Sequence, residues 1–391
     1  MDLNILNTEI QEFINNSLQA NISKLALSKN PFPELDWKEI INQIVSKNKS
    51  KSKLPSWFST DRIYYPPSIS IEQTSSEITA KFKSELLSGK SIIDLTGGFG
   101  VDCYYFSKRF EKVIHCEKNT ELSAIVKHNY KNLKVENIEC VAQNSTEFLS
   151  ETDLKFDWIY IDPSRRSDIK GKVFLLKDCL PNVPMNLDLY FARSKNILIK
   201  TAPILDITAG INELNHIKSI HIIAIDNEVK ELLWILEKDF DGEIEITSIN
   251  IQKEKTDTNR FILGKNTETT FALPNLFLYE PNASLLKSGC SNNLSKSLSV
   301  DKLHPHSYLF TNIKLIDFPG RRFIIETSIP FKKEELKKYV YGKKMNITTR
   351  NFPLAVDEIR KKYKIAEGGN VYTFFTTNIN DEKIVLICNK I

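Results

Sequence analysis

Ser91-Ile92-Ile93-Asp94-Leu95-Thr96-Gly97-Gly98-Phe99-Gly100-Val101-Asp102 is an apolar run that ends in an acid and opens into three glycines. A short apolar run bounded by turn residues reads as a buried strand. Glycines directly behind it let the backbone turn tightly and approach a ligand. A helix is expected over about 102–110, so the segment reads strand, glycine turn, helix. In open α/β sheets, ligands bind beyond the carboxyl ends of the strands, which is where this turn falls. A dinucleotide fingerprint would need G-x-G-x-x-G, but Cys103 stands where the third glycine belongs, and no Gly-Lys-Ser/Thr follows to make a P-loop.

Downstream, similar runs recur: KVIHCE (112–117), IECVA (138–142), FDWIYID (156–162), NILIK (196–200), SIHIIAID (219–226) and EIEITSINI (243–251). Helix-like segments separate them, which predicts an α/β, Rossmann-like sheet of about seven strands, mainly parallel. EVKELLWILEK (228–238) reads as the helix before the last run. EIEITSINI alternates apolar and polar residues and reads as an antiparallel edge strand. Upstream, residues 1–85 read as a helical region: helices within the first 30 residues and over about 36–47, a Lys-rich exposed connector KNKSKSK (47–53), then an extended stretch from Leu54 to Gln73. After about 255 the texture changes to short segments. Strands are expected at 321–329, 371–377 and 383–390, and helices at 332–341 and 354–364, which makes a small α+β tail. The domains expected are thus 1–85, 86–255, 256–320 and 321–391.

The chain has 391 residues, 41% hydrophobic and 26% charged, as globular proteins do. Its net charge of +4 is uneven. Residues 331–364 hold eleven Lys/Arg against four acids, a local +7 that leaves −3 for the remainder. Tyr339, Tyr341, Phe352 and Tyr363 are interleaved with these cations, the combination that RNA-binding surfaces use. Lys343, Lys344, Arg350, Asn351, Arg360 and Lys361 are the candidate contacts. The six cysteines are scattered with no metal-ligand spacing, no leader or membrane segment is visible, and a reduced cytoplasm is expected. His304-Pro305-His306, the one close histidine pair, reads as surface loop, and no metal is expected.

The chemistry follows from the strand ends. Asp94 closes the first strand and can pair with an ammonium, whereas it would repel a pyrophosphate. That favours S-adenosylmethionine (SAM), whose amino-acid end carries one. Glu117, at the end of the second strand, is placed to accept from two ribose hydroxyls. Asn144 and Ser145 follow the third strand, where an amide could read an adenine edge. Asp162-Pro163-Ser164-Arg165 follows the fourth, where Asp162 could hydrogen-bond and orient a methyl acceptor.

These residues resemble a known family. Asp94 to Asp102, with Ile71-Glu72-Gln73-Thr74-Ser75-Ser76-Glu77, Leu54-Pro55-Ser56-Trp57, Asp162-Pro163-Ser164-Arg165-Arg166 and Arg350-Asn351-Phe352-Pro353, look like bacterial class I SAM-dependent methyltransferases with a C-terminal THUMP-like domain. The resemblance implies a methyltransferase domain, a ferredoxin-like region and a THUMP-like RNA-binding end. It also implies RNA, tRNA or rRNA, as substrate. Carried over by position, Gln73, Thr74, Ser75, Ser76, Asp94, Thr96, Gly97, Gly98, Phe99, Gly100, Asp102, Glu117, Lys118, Asn144 and Ser145 would hold SAM. Asp162, Pro163, Ser164 and Arg165 would line the catalytic side.

The pattern departs from the better-known enzymes in three places. No second proline and aromatic residue follow Asp162-Pro163, as they do in enzymes that methylate exocyclic amines. Lys200-Thr201-Ala202 stands where uracil C5 methyltransferases carry their nucleophilic cysteine. Asn144 replaces the more usual acid. A non-catalytic RNA-binding protein that retains the fold, and a methyltransferase of protein or small molecules, therefore stay open as alternatives.

Overall fold

The computed structural model describes residues 1–165, 175–265 and 268–391. They form two compact units, one of residues 1–217 with 233–241, the other of residues 218–232 with 242–391.

In the first unit, five parallel strands carry the fold: β1 (Ser91–Asp94), β2 (Lys112–Cys116), β3 (Ile138–Val141), β4 (Phe156–Ile161) and β5 (Ser194–Thr201). Their order is β3-β2-β1-β4-β5, with Ile93 opposite Ile114 and Ile159, and Tyr160 opposite Leu198. β1 and β4 meet in the middle, and Ile92, Ile93, Ile159, Tyr160 and Ile161 are all fully buried. This covering of both faces is what the unbroken apolar runs foretold.

The N-terminal residues are held to this sheet domain, and to one another, by amide side chains that clamp backbone groups. Asn129, on the helix Thr120–Asn132, accepts from Tyr64 N and donates to Tyr64 O, both at 2.9 Å. Gln43 does the same for Tyr65, at 2.9 and 2.6 Å. The helix that carries Gln43 is capped by Asp36 and runs Trp37–Lys53, straight through the expected lysine-rich connector. That expectation fails because Ser46, Lys47 and Ser50 face inward: Ser46 Oγ donates to Pro66 O, and the Lys47 amine lies 5.9 Å from the Phe58 ring. The stretch from Leu54 to Gln73 is likewise only partly extended, since Pro55–Ser59 and Ser68–Gln73 are short helices.

Residues 217–262 correct two further readings. EVKELLWILEK forms the strand β7 (Glu228–Glu237), not a helix, and follows β6 (Ile217–Ile225) through a two-residue turn. Asp226 and Asn227 both hold positive φ, 48° and 66°, which is the backbone of a type I′ hairpin. Four consecutive side chains, Glu231 to Trp234, are buried, which a strand covered on both faces allows and an amphipathic helix does not. EIEITSINI is β8 (Glu245–Ile251) and pairs with β6 in parallel. The antiparallel partner on its other side is β9 (Thr256–Ile262).

The second unit also holds a seven-stranded sheet, in the order 301–302, 310–312, 277–281, 320–330, 383–390, 371–377, 346–350. The expected tail strands and the helices Lys333–Tyr339 and Val356–Tyr363 are present. The surface-loop reading holds for His306, which is exposed in a turn, and fails for its neighbour. His304 is buried, with Nε2 on Asp381 at 3.0 Å and Nδ1 accepting from His306 N and the Asn351 amide.

Removing the Asn129 clamp leaves two buried backbone groups of Tyr64 unpaired, at a cost of about 1–3 kcal/mol for each group so stranded. Asn129→Leu should therefore lower the urea midpoint clearly with little change in slope. An unchanged midpoint would show that the clamp contributes nothing.

Candidate active site

A cavity of about 650 Å³ opens at the carboxyl ends of β1 to β4. This size suits a drug- or cofactor-sized ligand. Four acids line it: Asp94, Asp102, Glu117 and Asp162.

The turn after β1 is shaped by what lies beneath it. A Cβ on Gly97 would sit 2.4 Å from the His115 ring, and one on Gly100 would sit 2.2 Å from the Tyr130 hydroxyl. Both positions must therefore be glycine for packing. Gly98 differs: it holds φ of +53°, and a Cβ there would meet nothing closer than 3.6 Å, so its backbone is open to the cavity. His115 Nε2 lies 3.2 Å from Gly98 O, and burial lowers this imidazole below its usual range.

Asp94 is 1% exposed. Its Oδ1 accepts from Thr96 N at 2.8 Å and from Thr96 Oγ1 at 3.1 Å, and the Cys103 thiol donates to its Oδ2. Burial, and then the neighbouring charge of Asp102, push its carboxyl up to about 8 despite those donors. Asp102 itself is compensated: Lys83 Nζ lies 3.2 Å from Oδ1, and Ser75 and Tyr160 donate to Oδ2 at 2.8 and 3.0 Å. Thr96 ties the two central strand ends together, because its Oγ1 accepts from Asp162 N at 2.7 Å. On the next strand, Glu117 accepts from Gly98 N at 3.0 Å and Asn119 N at 2.8 Å. The fourth acid, Asp162, is ion-paired with Lys200 of β5.

The structure gathers most of the residues expected to hold a cofactor. Gln73, Thr74, Ser75, Asp94, Thr96, Gly97, Gly98, Phe99, Asp102, Glu117, Lys118, Asn144 and Ser145 all line the cavity, as do Asp162 and Ser164. Three expected residues do not line it. Ser76 caps the helix Glu77–Leu86, Gly100 makes room for Tyr130, and Pro163 is buried. The Arg165 side chain lies outside the described residues. Asn144 is engaged as a helix cap, its Oδ1 accepting from Thr146 N and Glu147 N. It can offer an adenine a donor from its amide nitrogen but no spare cap oxygen.

Sequence reasoning missed Ser70, Leu180, Pro181, Asn182 and Asn186, which close the cavity from segments distant in the chain. It also missed the Lys200–Asp162 pair, whose only signal was a lysine at the end of the fifth apolar run.

The candidate RNA contacts in the second unit divide in two. Arg350, with Arg321, clamps the buried carboxylate of Glu280, donating to Oε1 at 2.8 Å. Asn351 holds His304, and Arg360 reaches Glu367 at 3.5 Å. Lys343, Lys344 and Lys361 are exposed, as are Lys362 and Lys364. Lysines lie over three tyrosines: Lys338 over Tyr339 at 4.8 Å, Lys362 over Tyr363 at 5.6 Å and Lys364 over Tyr341 at 5.8 Å.

Comparison with known proteins fits this geometry. A family model described as conserved hypothetical protein 95 matches residues 70–178, a ferredoxin-like domain matches 277–319, and a THUMP domain-like model matches 320–390. A solved structure of a methyltransferase candidate from Porphyromonas gingivalis W83 superposes with a TM-score of 0.87 at 27% identity, covering 100% of this chain and 99% of that one. The chain thus resembles a methyltransferase-fold protein over its whole length and carries a THUMP domain-like segment at residues 320–390. An rRNA methylase from Streptococcus thermophilus is far more distant, with a TM-score of 0.30 at 13% identity over 41% of this chain and 94% of that one. No curated protein matches the chain. Among the described residues, no group of three or more His, Cys, Asp or Glu could hold a metal, and no helix is long and apolar enough to cross a membrane.

Two outcomes follow for these residues. The Asp94 carboxyl is raised on folding, from an ordinary value of 3.8 to about 8. The ligand-free protein therefore loses stability as pH climbs from about 4 to about 8, because the unfolded chain gives up that proton first. In Asp94→Asn the melting temperature should fall less over that window, and an identical slope in both proteins would refute the assignment. Arg350→Ala leaves Glu280 with one of its two cations. It should cost about 3 kcal/mol, visible in a denaturant titration, if the clamp works as a buried ion pair.

Proposed function

We propose that this protein is a SAM-dependent methyltransferase acting on a base in RNA. The observation that carries the reading is the acid-lined cavity at the strand ends, in which Asp94 is buried with no cation from the described residues against its carboxylate while its neighbour Asp102 has Lys83.

The residues fit SAM. An arriving ammonium would give Asp94 the counter-charge it lacks and bring its carboxyl down. The open backbone of Gly98 allows close approach. Glu117, fixed by two backbone N–H groups, presents a carboxylate to vicinal hydroxyls. SAM, when bound, supplies an electrophilic methyl on a sulfonium. The chain's own part is to align an acceptor beside it and exclude competing water. Thr96 couples the two tasks, since one hydroxyl joins Asp94 to the backbone of Asp162. Around the same cavity Leu180 and Pro181 supply apolar surface, and Asn182 and Asn186 supply amides. That mixture suits a flat heterocycle with polar edges. The lysine- and tyrosine-rich surface of the THUMP-like domain, with Lys343, Lys344 and Lys361, supplies phosphate contacts and stacking edges for RNA.

Calorimetry with S-adenosylhomocysteine (SAH) tests the first half. Binding should release close to one proton per site at pH 7. Glu117→Ala should weaken it about tenfold or more, the scale of two charge-assisted hydrogen bonds. No binding at about millimolar ligand would overturn the cofactor assignment. Transfer of label from methyl-tritiated SAM to total RNA from a strain lacking the protein tests the second half, and labelled protein with unlabelled RNA would overturn it.

A further inference from the structure

Beyond the residues expected to hold a cofactor, the cavity is closed by Leu180, Pro181, Asn182 and Asn186. They come from one stretch of chain. Leu180 pairs with Ser164, just past β4, and Asn182 caps the helix Val183–Arg193. Val183, Leu187 and Tyr190 of that helix are buried, which fixes its rotation about its own axis. Asn182 and Asn186 stand four residues apart, hence on one face, and both are half-buried where they line the cavity.

An asparagine amide has a donor end and an acceptor end, and only its hydrogen bonds tell which end is which. Both amides here are fixed by backbone groups. Asn182 Oδ1 accepts from Met185 N at 3.1 Å, so the atom turned to the helix is oxygen. Asn186 Nδ2 donates to Asn182 O at 2.7 Å, so the atom turned to the backbone is nitrogen. Asn182 keeps its two amide hydrogens, and Asn186 keeps its carbonyl oxygen and one hydrogen. Among the described residues these groups have no other partner.

We propose that Asn182 and Asn186 are specificity-determining residues that read the pairing edge of the base to be methylated, Asn182 donating to it and Asn186 accepting from it. The inference rests on the reading that the cavity binds SAM and that RNA is the substrate.

The pairing edge of a nucleobase sets a hydrogen-bond acceptor beside a donor, the complement of what the two amides have left. Leu180, 47% exposed, and Pro181 add apolar surface for the face of a ring. A protein carboxamide offers the same two polar groups but no ring to lie against that surface, so it is the poorer fit. Amides do not titrate, so the pattern on the wall is the same across the physiological pH range. A base that presents the wrong edge would strand both amides unpaired, and this penalty discriminates more strongly than a hydrophobic pocket can. A base already paired in a duplex has spent this edge, so the nucleotide received is an unpaired one.

Asn182→Ser and Asn182→Asp separate recognition from folding, because serine and aspartate also cap helices. Transfer from methyl-tritiated SAM to total RNA of a strain lacking the protein, measured at limiting RNA, should fall about tenfold or more in Asn182→Ser and in Asn186→Leu, the scale of one polar group left unpaired. It should fall further in Asn182→Asp, whose second oxygen would face an acceptor with an acceptor. SAH affinity by calorimetry should stay near wild type in all three. Mass spectrometry of the labelled nucleosides should show a growing share on other bases in Asn182→Ser, a change that a merely structural asparagine would not cause. RNA annealed to complementary DNA should lose transfer and regain it once the DNA is digested. Near-wild-type transfer in Asn182→Ser and Asn186→Leu, undiminished transfer to annealed RNA, or loss of transfer only where SAH binding is lost with it would each overturn the assignment. If the wild-type protein binds no SAH, it is the cofactor reading that falls, and if it binds SAH but labels protein, it is the RNA reading.

Discussion

Two carboxylates buried side by side, with one buried lysine between them and neutrality, constrain the rest of this site. Asp102 has Lys83, Ser75 and Tyr160 around it; Asp94, next to it, meets only uncharged hydrogen-bond donors among the described residues. Burying a charge without an opposite one is costly, and a protein can lower that cost by keeping a proton or by accepting a cation. The first unit keeps the cavity acid-rich at the point where its backbone is most open, and this asymmetry makes a cationic ligand the natural partner. Removing Asp102's compensation would disturb three elements at once, because Ser75, Lys83 and Tyr160 come from three separate segments.

That network explains why the N-terminal region is more than an appendage. Ser75 and Lys83 reach the cavity floor from it, while Gln43 and Asn129 grip the backbone of Tyr65 and Tyr64 nearby. Glu77, in the same region, accepts from Ser56 and Tyr105. The buried side chains Gln43, Ser75, Glu77, Lys83 and Asn129 are tolerated because each finds a partner, and satisfied networks of this kind fix a unique arrangement. The cavity wall formed by Gln73 to Ser75 is tied in through Ser75, which donates to Asp102 and accepts from Lys83.

In the second unit a similar economy of charge appears at Glu280, buried under Arg321 and Arg350. A count of basic residues in the sequence treats Arg350 and Lys343 alike. In the folded chain one is consumed by an internal carboxylate and the other is exposed. Local charge therefore overstated the free cationic surface, although the lysines that remain still surround tyrosine rings.

By itself the sequence determined the parallel α/β core, the glycine turn after the first strand and the acids at successive strand ends. Each of these is a local pattern: an apolar run, a residue without a Cβ, an acid where a run stops. Tertiary structure alone decided the rest. EVKELLWILEK has helix-forming residues and became a strand because a two-residue turn with positive φ returned it alongside β6, in a sheet where its side chains from Glu231 to Trp234 are buried. KNKSKSK reads as solvated and became helix because the ring of Phe58 meets its Lys47, while the carbonyl of Pro66 meets Ser46 just before it. Lys200 and Asp162 lie 38 residues apart, and only the pairing of adjacent parallel strands brings ammonium to carboxylate. Periodicity reports which face of an element is apolar, but it cannot report which distant polar group will be there to satisfy the other.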